Sequence, residues 1–120
     1  DAWVSCGNYS LVRPVVLARA THIVWLDYPK PIVMRRVIWR SFSRAVGRVE
    51  LWPGTGNRET FARWLDKGHP IRWAWDTYAR RRKRAFAEFE DPKLAHIERI
   101  RIVHPREAQP LIAALASAAA

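Results

Sequence analysis

The chain has 120 residues, of which 49% are apolar and 12% aromatic, and its formal net charge is +10. This length suits one domain, and the apolar and aromatic content excludes a disordered chain. No apolar run reaches the roughly 18 residues of a membrane span, so no membrane partner is expected. The positive charge favours an anionic partner, which is a nucleotide, DNA or RNA, or an acidic surface.

Cysteine and histidine usage predicts neither a disulfide nor a metal site. Cys6 is the single cysteine, and its bland interpretation is a small buried residue rather than a nucleophile. The four histidines are scattered without partners at ligand spacing. These observations suit a reducing, cytoplasmic setting, and no signal peptide is visible. Residue 1 falls at the mouth of a predicted strand, so the chain is expected to be a fragment of something longer.

The first part of the chain predicts two short buried strands, at residues 2–6 and 23–26, each stopped by turn residues. Residues 11–20 predict a short helix between them, so the strands should pair in parallel through a crossover. Ligands bind outside the carboxyl ends of such strands. The residues expected at that edge are Cys6, Gly7, Asn8, Tyr9, Asp27 and Tyr28.

A longer helix is predicted from Pro31 to about Val46, with Gly47 as its stop. Its apolar stripe, at three- and four-residue spacing, consists of Val33, Val37, Ile38, Phe42 and Ala45. On another face Arg36, Arg40 and Arg44 recur every four residues, where like charges repel and a bound anion would relieve the repulsion. A solvated basic face is the alternative.

The second half predicts a loop over 48–58, a short helix over 59–66, and the longest helix over 71–90. The apolar stripe of this last helix passes through Arg82, so Arg82 needs a carboxylate, a backbone cluster or a phosphate as a partner. The rest of the 80–84 basic run is expected to be solvated. Alternating residues at 97–103 predict a third, edge-like strand, and 110–118 a terminal helix.

Several stretches together resemble a known family. The quoted landmarks are Trp3-Val4-x-x-Gly7-Asn8-Tyr9-Ser10, Ala20-Thr21-x-Ile23-Val24-Trp25-Leu26-Asp27-Tyr28-Pro29, Val33-Met34-x-Arg36-Val37-x-x-Arg40, Gly56-Asn57-Arg58-Glu59, Trp73-Ala74-Trp75-x-Thr77 and Pro105-Arg106-Glu107. In this order they resemble the adenylate-kinase-like P-loop proteins of the bacterial topology modulation protein family.

The resemblance implies an α/β fold, in which a parallel sheet is flanked by helices as in nucleoside and nucleotide kinases. It implies a single partial domain over 1–120 with a lid-like segment at 47–70, and ATP with Mg²⁺ as ligands. The implied catalytic residues are Arg36, Arg40 and Arg82. The implied nucleotide contacts are His104, Pro105 and Arg106. The implied substrate contacts are Asn8, Tyr9, Arg81 and Arg84.

Two departures from the family pattern bear on activity. The family's Gly-x-x-x-x-Gly-Lys-Ser/Thr loop, which holds phosphates through backbone N–H groups and a lysine, does not occur in the sequence. Cys6 also stands where the family usually has an Asp near Mg²⁺, which exchanges a hard oxygen for a soft sulfur. The sequence therefore predicts a kinase-like protein without its N-terminal strand and phosphate loop, with little or no ATP turnover. Enzymatic activity stays open.

Two alternatives remain open. The chain is a nucleic-acid-binding protein if Trp73, Trp75 and Tyr78 act as stacking partners beside the arginine run. The helical spacing of these three aromatics instead favours a place in the core. The other alternative is an inactive structural fragment, whose exposed sheet edge would promote self-association into a homo-oligomer.

Overall fold

The structure is a computed structural model, which describes residues 3–7 and 10–119. It divides into two compact units. The first unit combines the chain up to Asp27 with the chain from Arg84 onward, and the second spans Tyr28–Lys83. The described residues form a mixed α/β structure with four α-helices and one two-stranded parallel sheet.

The helices and strands have the following bounds. In chain order they are α1 (Arg13–Arg19), β1 (His22–Leu26), α2 (Lys30–Val46), α3 (Pro70–Phe89), β2 (Glu98–Ile102) and α4 (Ala108–Ala119). Short 3₁₀ turns cover Phe61–Arg63, Pro92–Leu94 and Pro105–Glu107. Among the described residues, no helix combines the length and apolar character that a bilayer crossing needs.

The sheet pairs β1 with β2 in parallel, from His22 opposite Glu98 to Leu26 opposite Ile102. Ile102 is buried, and the ring of Trp25 packs on Phe86 and Phe89 of α3 at centroid distances of 6.1 and 5.4 Å. A parallel sheet was therefore predicted correctly. Its strands, however, are separated by most of the chain rather than by one short crossover.

The strand predicted at 2–6 is wrong for the residues that the structure describes. Residues 3–6 form no strand, and Val4 is fully exposed. The Arg13 side chain binds the Gly7 carbonyl and the Glu88 carboxylate. The Gly7 carbonyl therefore accepts from a side chain and not from a neighbouring strand. Only two strongly apolar side chains, Trp3 and Val4, precede Ser5, and they are too few to stabilise a buried strand.

In the second unit, α2 confirms the predicted helix and its end. The Gly47 N–H donates to the Ser43 carbonyl at 2.9 Å and closes the last turn. The predicted apolar stripe is only partly correct, because Met34 and Ser41 are the buried positions of the helix while Ile38 and Phe42 are exposed. The inward face is therefore rotated from the line that hydrophobic spacing predicts.

The helix predicted over 59–66 is mostly wrong, because only the 3₁₀ turn Phe61–Arg63 forms. The segment follows with i→i+3 bonds, including those from Asp66 N to Arg63 O and from His69 N to Asp66 O. Such bonds are typical of short connections. They place His69 immediately before α3, where its side chain meets Glu59.

The later elements match their predictions within a few residues. Helix α3 begins at Pro70 and ends at Phe89, and β2 covers Glu98–Ile102. Helix α4 begins at Ala108 rather than at residue 110, since the 3₁₀ turn Pro105–Glu107 runs directly into it.

Candidate functional site

The carboxyl ends of both strands in the first unit carry polar residues. Asp27 follows β1, and its N–H donates to the Ile102 carbonyl at 2.8 Å, so the pairing continues one residue past the strand. His104 follows β2 by two residues. Because parallel strands end at the same edge of a sheet, the pairing places at one edge two groups that are 77 positions apart in sequence (104 − 27).

Asp27 is held by an arginine from the neighbouring strand. Arg101 donates from Nε at 3.0 Å and from Nη2 at 2.5 Å to Asp27 Oδ2. The Asp27 side chain is 2% exposed, whereas that of Arg101 is 43% exposed. The guanidinium carbon also lies 5.1 Å from the Trp25 ring centroid, a cation–π distance. Asp27 therefore lies at the predicted edge with its carboxylate bound by a guanidinium.

The predicted nucleotide contacts follow β2 in a fixed turn. The Arg106 N–H donates to His104 Nδ1 at 3.1 Å, so the histidine side chain caps the 3₁₀ turn. Nδ1 accepts in this bond and carries no proton, which leaves the proton of a neutral ring on Nε2. The His104 and Arg106 side chains are exposed, and Pro105 is half-buried. The turn thus displays an imidazole and a guanidinium at the carboxyl edge.

In the second unit, the predicted catalytic arginines of α2 lie on its outer surface. Arg36 and Arg40 are exposed. The Arg36 guanidinium carbon lies 5.8 Å from the Tyr28 ring centroid, at the outer limit of a cation–π contact. Both side chains are accessible to an anion, as the basic-face prediction requires. A solvated basic face has the same exposure.

On α3 the prediction for Arg82 is corrected. Arg82 is exposed together with the rest of the 80–84 run, so it does not lie on a buried line. Arg82 lies four residues after Tyr78 and three before Ala85, on the same side of the helix, but its long side chain carries the guanidinium out to solvent. Arg81 places its guanidinium carbon 4.6 Å from the Trp73 ring centroid. Arg84, a predicted substrate contact, is exposed in the first unit.

The aromatics of α3 divide into two kinds. Trp73 and Trp75 are exposed, which corrects the expectation that helical spacing puts them in the core. Lys30 Nζ lies 3.6 Å from the Trp75 ring centroid. Tyr78 is half-buried, and its hydroxyl donates to the Tyr28 carbonyl at 2.8 Å. The two tryptophans thus offer accessible rings with a cation beside each.

The second unit also contains a buried acid–imidazole pair that the sequence did not predict. His69 Nε2 bonds Glu59 Oε1, and their side chains are 9% and 6% exposed. Ile71 N donates to His69 Nδ1 at 3.2 Å, so Nε2 carries the proton and donates to the carboxylate. The Trp64 ring is inclined by 28° to the imidazole at a centroid distance of 6.4 Å. The pair anchors the segment before α3.

The described residues include no cluster of side chains that matches the ligand set of a metal site. Residues 3–7 and 10–119 contain no group of three or more His, Cys, Asp or Glu side chains able to hold a metal ion. Cys6, which the resemblance aligns with an Asp, is exposed, so its expected burial is wrong. The predicted substrate contacts Asn8 and Tyr9 lie outside the described residues.

Two side-chain contacts, Arg101 with Asp27 and His69 with Glu59, were not predicted from the sequence. The sequence pattern identifies Arg101 only as a polar position of an alternating strand, whereas its partner depends on the register that places it opposite Trp25. Glu59 and His69 are ten residues apart across a segment without periodicity, so no pattern links them.

Comparison with protein-family models, with curated proteins and with solved structures finds no match for this chain.

Proposed function

We propose that this chain is a nucleotide-kinase-like protein that binds ATP at the carboxyl edge of its parallel sheet. The observation that carries the proposal is the parallel pairing of β1 with β2, which aligns Asp27 with the turn at 104–106. Ligands of α/β sheets bind outside this edge. The exposed Arg106 supplies a cation there, in a protein whose net charge of +10 attracts anions.

Phosphoryl transfer depends mainly on positioning and on charge stabilisation by cations. We assign that stabilisation to Arg36, Arg40 and Arg82, and substrate contacts to Arg81 and Arg84, as the family resemblance implies. Their exposure supports the assignment, because each can meet an anion. The sequence has no Gly-x-x-x-x-Gly-Lys-Ser/Thr loop. We therefore expect this chain to bind nucleotide without measurable turnover.

The first test is a titration with ATP and Mg²⁺ followed by tryptophan fluorescence. We expect saturable binding in the micromolar range, and Arg106→Ala should weaken it roughly tenfold because a charge-assisted contact is lost. The matched control is Arg19→Ala, which removes the same charge from an exposed site on α1 and should change the affinity less than about twofold. A wild-type protein that gives no saturable response overturns the proposal.

The arginine assignment has a separate test on α2. Arg40→Ala should weaken ATP binding more than Arg35→Ala, although both changes remove one exposed cation from the same helix. A specific phosphate contact is worth roughly a factor of ten, whereas general attraction affects both variants equally. Equal losses in the two variants would show that Arg40 acts only through net charge.

A second candidate function is binding of single-stranded nucleic acid. The observation that favours it is the exposure of Trp73 and Trp75, each with a cation over its ring. Basic surfaces with stacking aromatics bind single strands, and the affinity falls linearly in a log–log plot against salt. We expect such a slope with a single-stranded oligonucleotide, and a loss of affinity in the double variant Trp73→Ala/Trp75→Ala. A flat salt response rejects this candidate.

A further inference from the structure

A compact loop between Glu50 and Arg58 lies inside the predicted lid-like segment. Its ends are joined by an isolated antiparallel bridge between Glu50 and Arg58. The Leu51 N–H donates to the Asn57 carbonyl at 2.8 Å, one step further in. The loop is therefore closed at its base by backbone pairing.

The interior of this loop is fixed by one carboxylate. Glu50 accepts hydrogen bonds from Gly54 N at 3.1 Å and from Gly56 N. Both glycines have positive φ angles, 81° and 68°, which side-chain-bearing residues rarely adopt. Nothing lies within 4 Å of a Cβ built on either glycine. A larger side chain would therefore have room, and glycine is favoured at both positions because of the positive φ angle. The two glycines thus allow the loop its backbone conformation, and the Glu50 carboxylate stabilises that conformation.

Trp52 lies in this loop. Its carbonyl accepts from Thr55 N at 3.2 Å and from Thr55 Oγ1 at 2.7 Å, so its own backbone is held in a turn. Its side chain is nevertheless 67% exposed. The loop therefore presents an accessible indole on a backbone that is already fixed by hydrogen bonds. A preorganised aromatic ring lowers the entropy that a ligand must overcome on binding.

The charges near the loop select the kind of ligand. Arg48 and Arg58 flank the loop in sequence, and both are exposed. Arg58 pairs with Glu50 at the base of the loop, and Arg48 precedes that base by two residues. Exposed cations at the base of a loop with an accessible indole suit a ligand with a flat ring and a negative charge, which is the chemistry of a nucleobase with its phosphates. An uncharged apolar partner would gain nothing from the two arginines.

We propose that Trp52 is a stacking platform for an unpaired nucleobase, held ready by the Glu50 and Thr55 hydrogen bonds and flanked by Arg48 and Arg58. The inference rests on the proposed nucleotide binding and names an additional contact for the base. The base comes either from a mononucleotide or from a single strand, and the two sources share this chemistry.

The experiment compares Trp52→Ala with a matched tryptophan. Trp39 on α2 is 68% exposed, as Trp52 is, but its backbone is helical rather than braced in a loop. Trp52→Ala should weaken binding by roughly 5- to 100-fold, the range of one base–aromatic stack, whereas Trp39→Ala should change it less than about twofold. Trp52→Phe keeps a ring and should retain affinity within about fivefold. Circular dichroism verifies that each variant keeps its helix content.

The ligands separate the base from the phosphates and identify the source. ATP and an oligodeoxythymidylate carry bases, whereas inorganic tripolyphosphate carries only charge, so Trp52→Ala should leave tripolyphosphate binding unchanged. A loss with ATP supports a mononucleotide as the source, and a loss with the oligonucleotide alone supports a single strand.

Three outcomes would overturn the inference. Wild-type protein that binds neither base-carrying ligand overturns both the inference and the proposed function. Wild-type protein that binds, with Trp52→Ala binding equally well or Trp39→Ala losing as much, overturns the stacking role alone. Unchanged ATP and oligonucleotide binding in Trp52→Ala, with weakened attachment to anionic phospholipid vesicles, would instead assign Trp52 to a membrane surface.

Discussion

The two units each contain a buried carboxylate with a cationic or imidazole partner, and the partners differ in their access to water. In the first unit Asp27 is 2% exposed, but Arg101 is 43% exposed. In the second unit both Glu59 and His69 are below 10% exposed. The exposure of the partner should decide how much stability is lost when the carboxylate or its partner is removed. A group that is left unpaired but reaches solvent regains its hydration, whereas a buried one does not.

The largest expected effect is that of His69→Ala in the second unit. The change leaves the buried Glu59 carboxylate without the imidazole that donates to it, and leaves Ile71 N without its acceptor. Breaking a buried pair from one side costs about 3–5 kcal/mol. The free energy of unfolding, measured by urea denaturation, should fall by about that amount.

The conservative variant His69→Gln tests the cause of this loss. A glutamine amide can still donate to Glu59, so a large part of the stability should return. A loss below about 1 kcal/mol in His69→Ala would mean that water reaches Glu59 and that the pair is not buried in solution.

The intermediate effect is that of Asp27→Ala in the first unit. The change removes the acceptor of two Arg101 hydrogen bonds, but the guanidinium left behind can turn toward water. Hydrogen bonds to charged groups contribute about 1.5–3 kcal/mol, so we expect a loss of about 2 kcal/mol in urea denaturation. A loss as large as that of His69→Ala would contradict the difference between the units.

The sequence predicted local elements of the fold far better than their partners. Helix α2 and strand β1 carry their own signals in apolar spacing and in the Pro and Gly at their ends. The pairing of β1 with β2 has no such signal, because 71 residues (27–97) separate the two strands. The pairing predicted between residues 2–6 and 23–26 is wrong for the same reason, because two segments that are close in sequence need not be neighbours in the sheet.

In the candidate site, too, positions of single residues were predicted better than the contacts between them. Asp27 was predicted at the carboxyl edge because parallel strands end there, and the structure places it there. Its bond to Arg101 could not be predicted, since that requires the register of a strand pair. The burial predicted for Arg82 is wrong because a place on the apolar side of α3 does not bury a side chain that is long enough to reach solvent. Long-range register and helix rotation are set by tertiary packing, not by local spacing.

The smallest expected effect belongs to an ion pair with both partners in water. Arg72 Nε lies 2.7 Å from Asp76 Oδ2 on α3, and both side chains are 42% exposed. Exposed pairs at this spacing contribute about 0.3–0.5 kcal/mol. Arginine on the N-terminal side is the less favourable order, because a cation near the start of the helix opposes its dipole.

Asp76→Asn should therefore lower the free energy of unfolding by no more than about 0.5 kcal/mol, and less in 1 M salt, where the Debye length is about 3 Å. The reference is Arg72→Gln, which removes the other charge and should have an effect near zero, since it also relieves the unfavourable cation in the first turn. If Asp76→Asn cost as much as Asp27→Ala, partner exposure would not rank the three pairs. A small, salt-sensitive loss instead extends the ranking from fully buried through half-exposed to solvated pairs, with the distance between charged atoms similar in the last two.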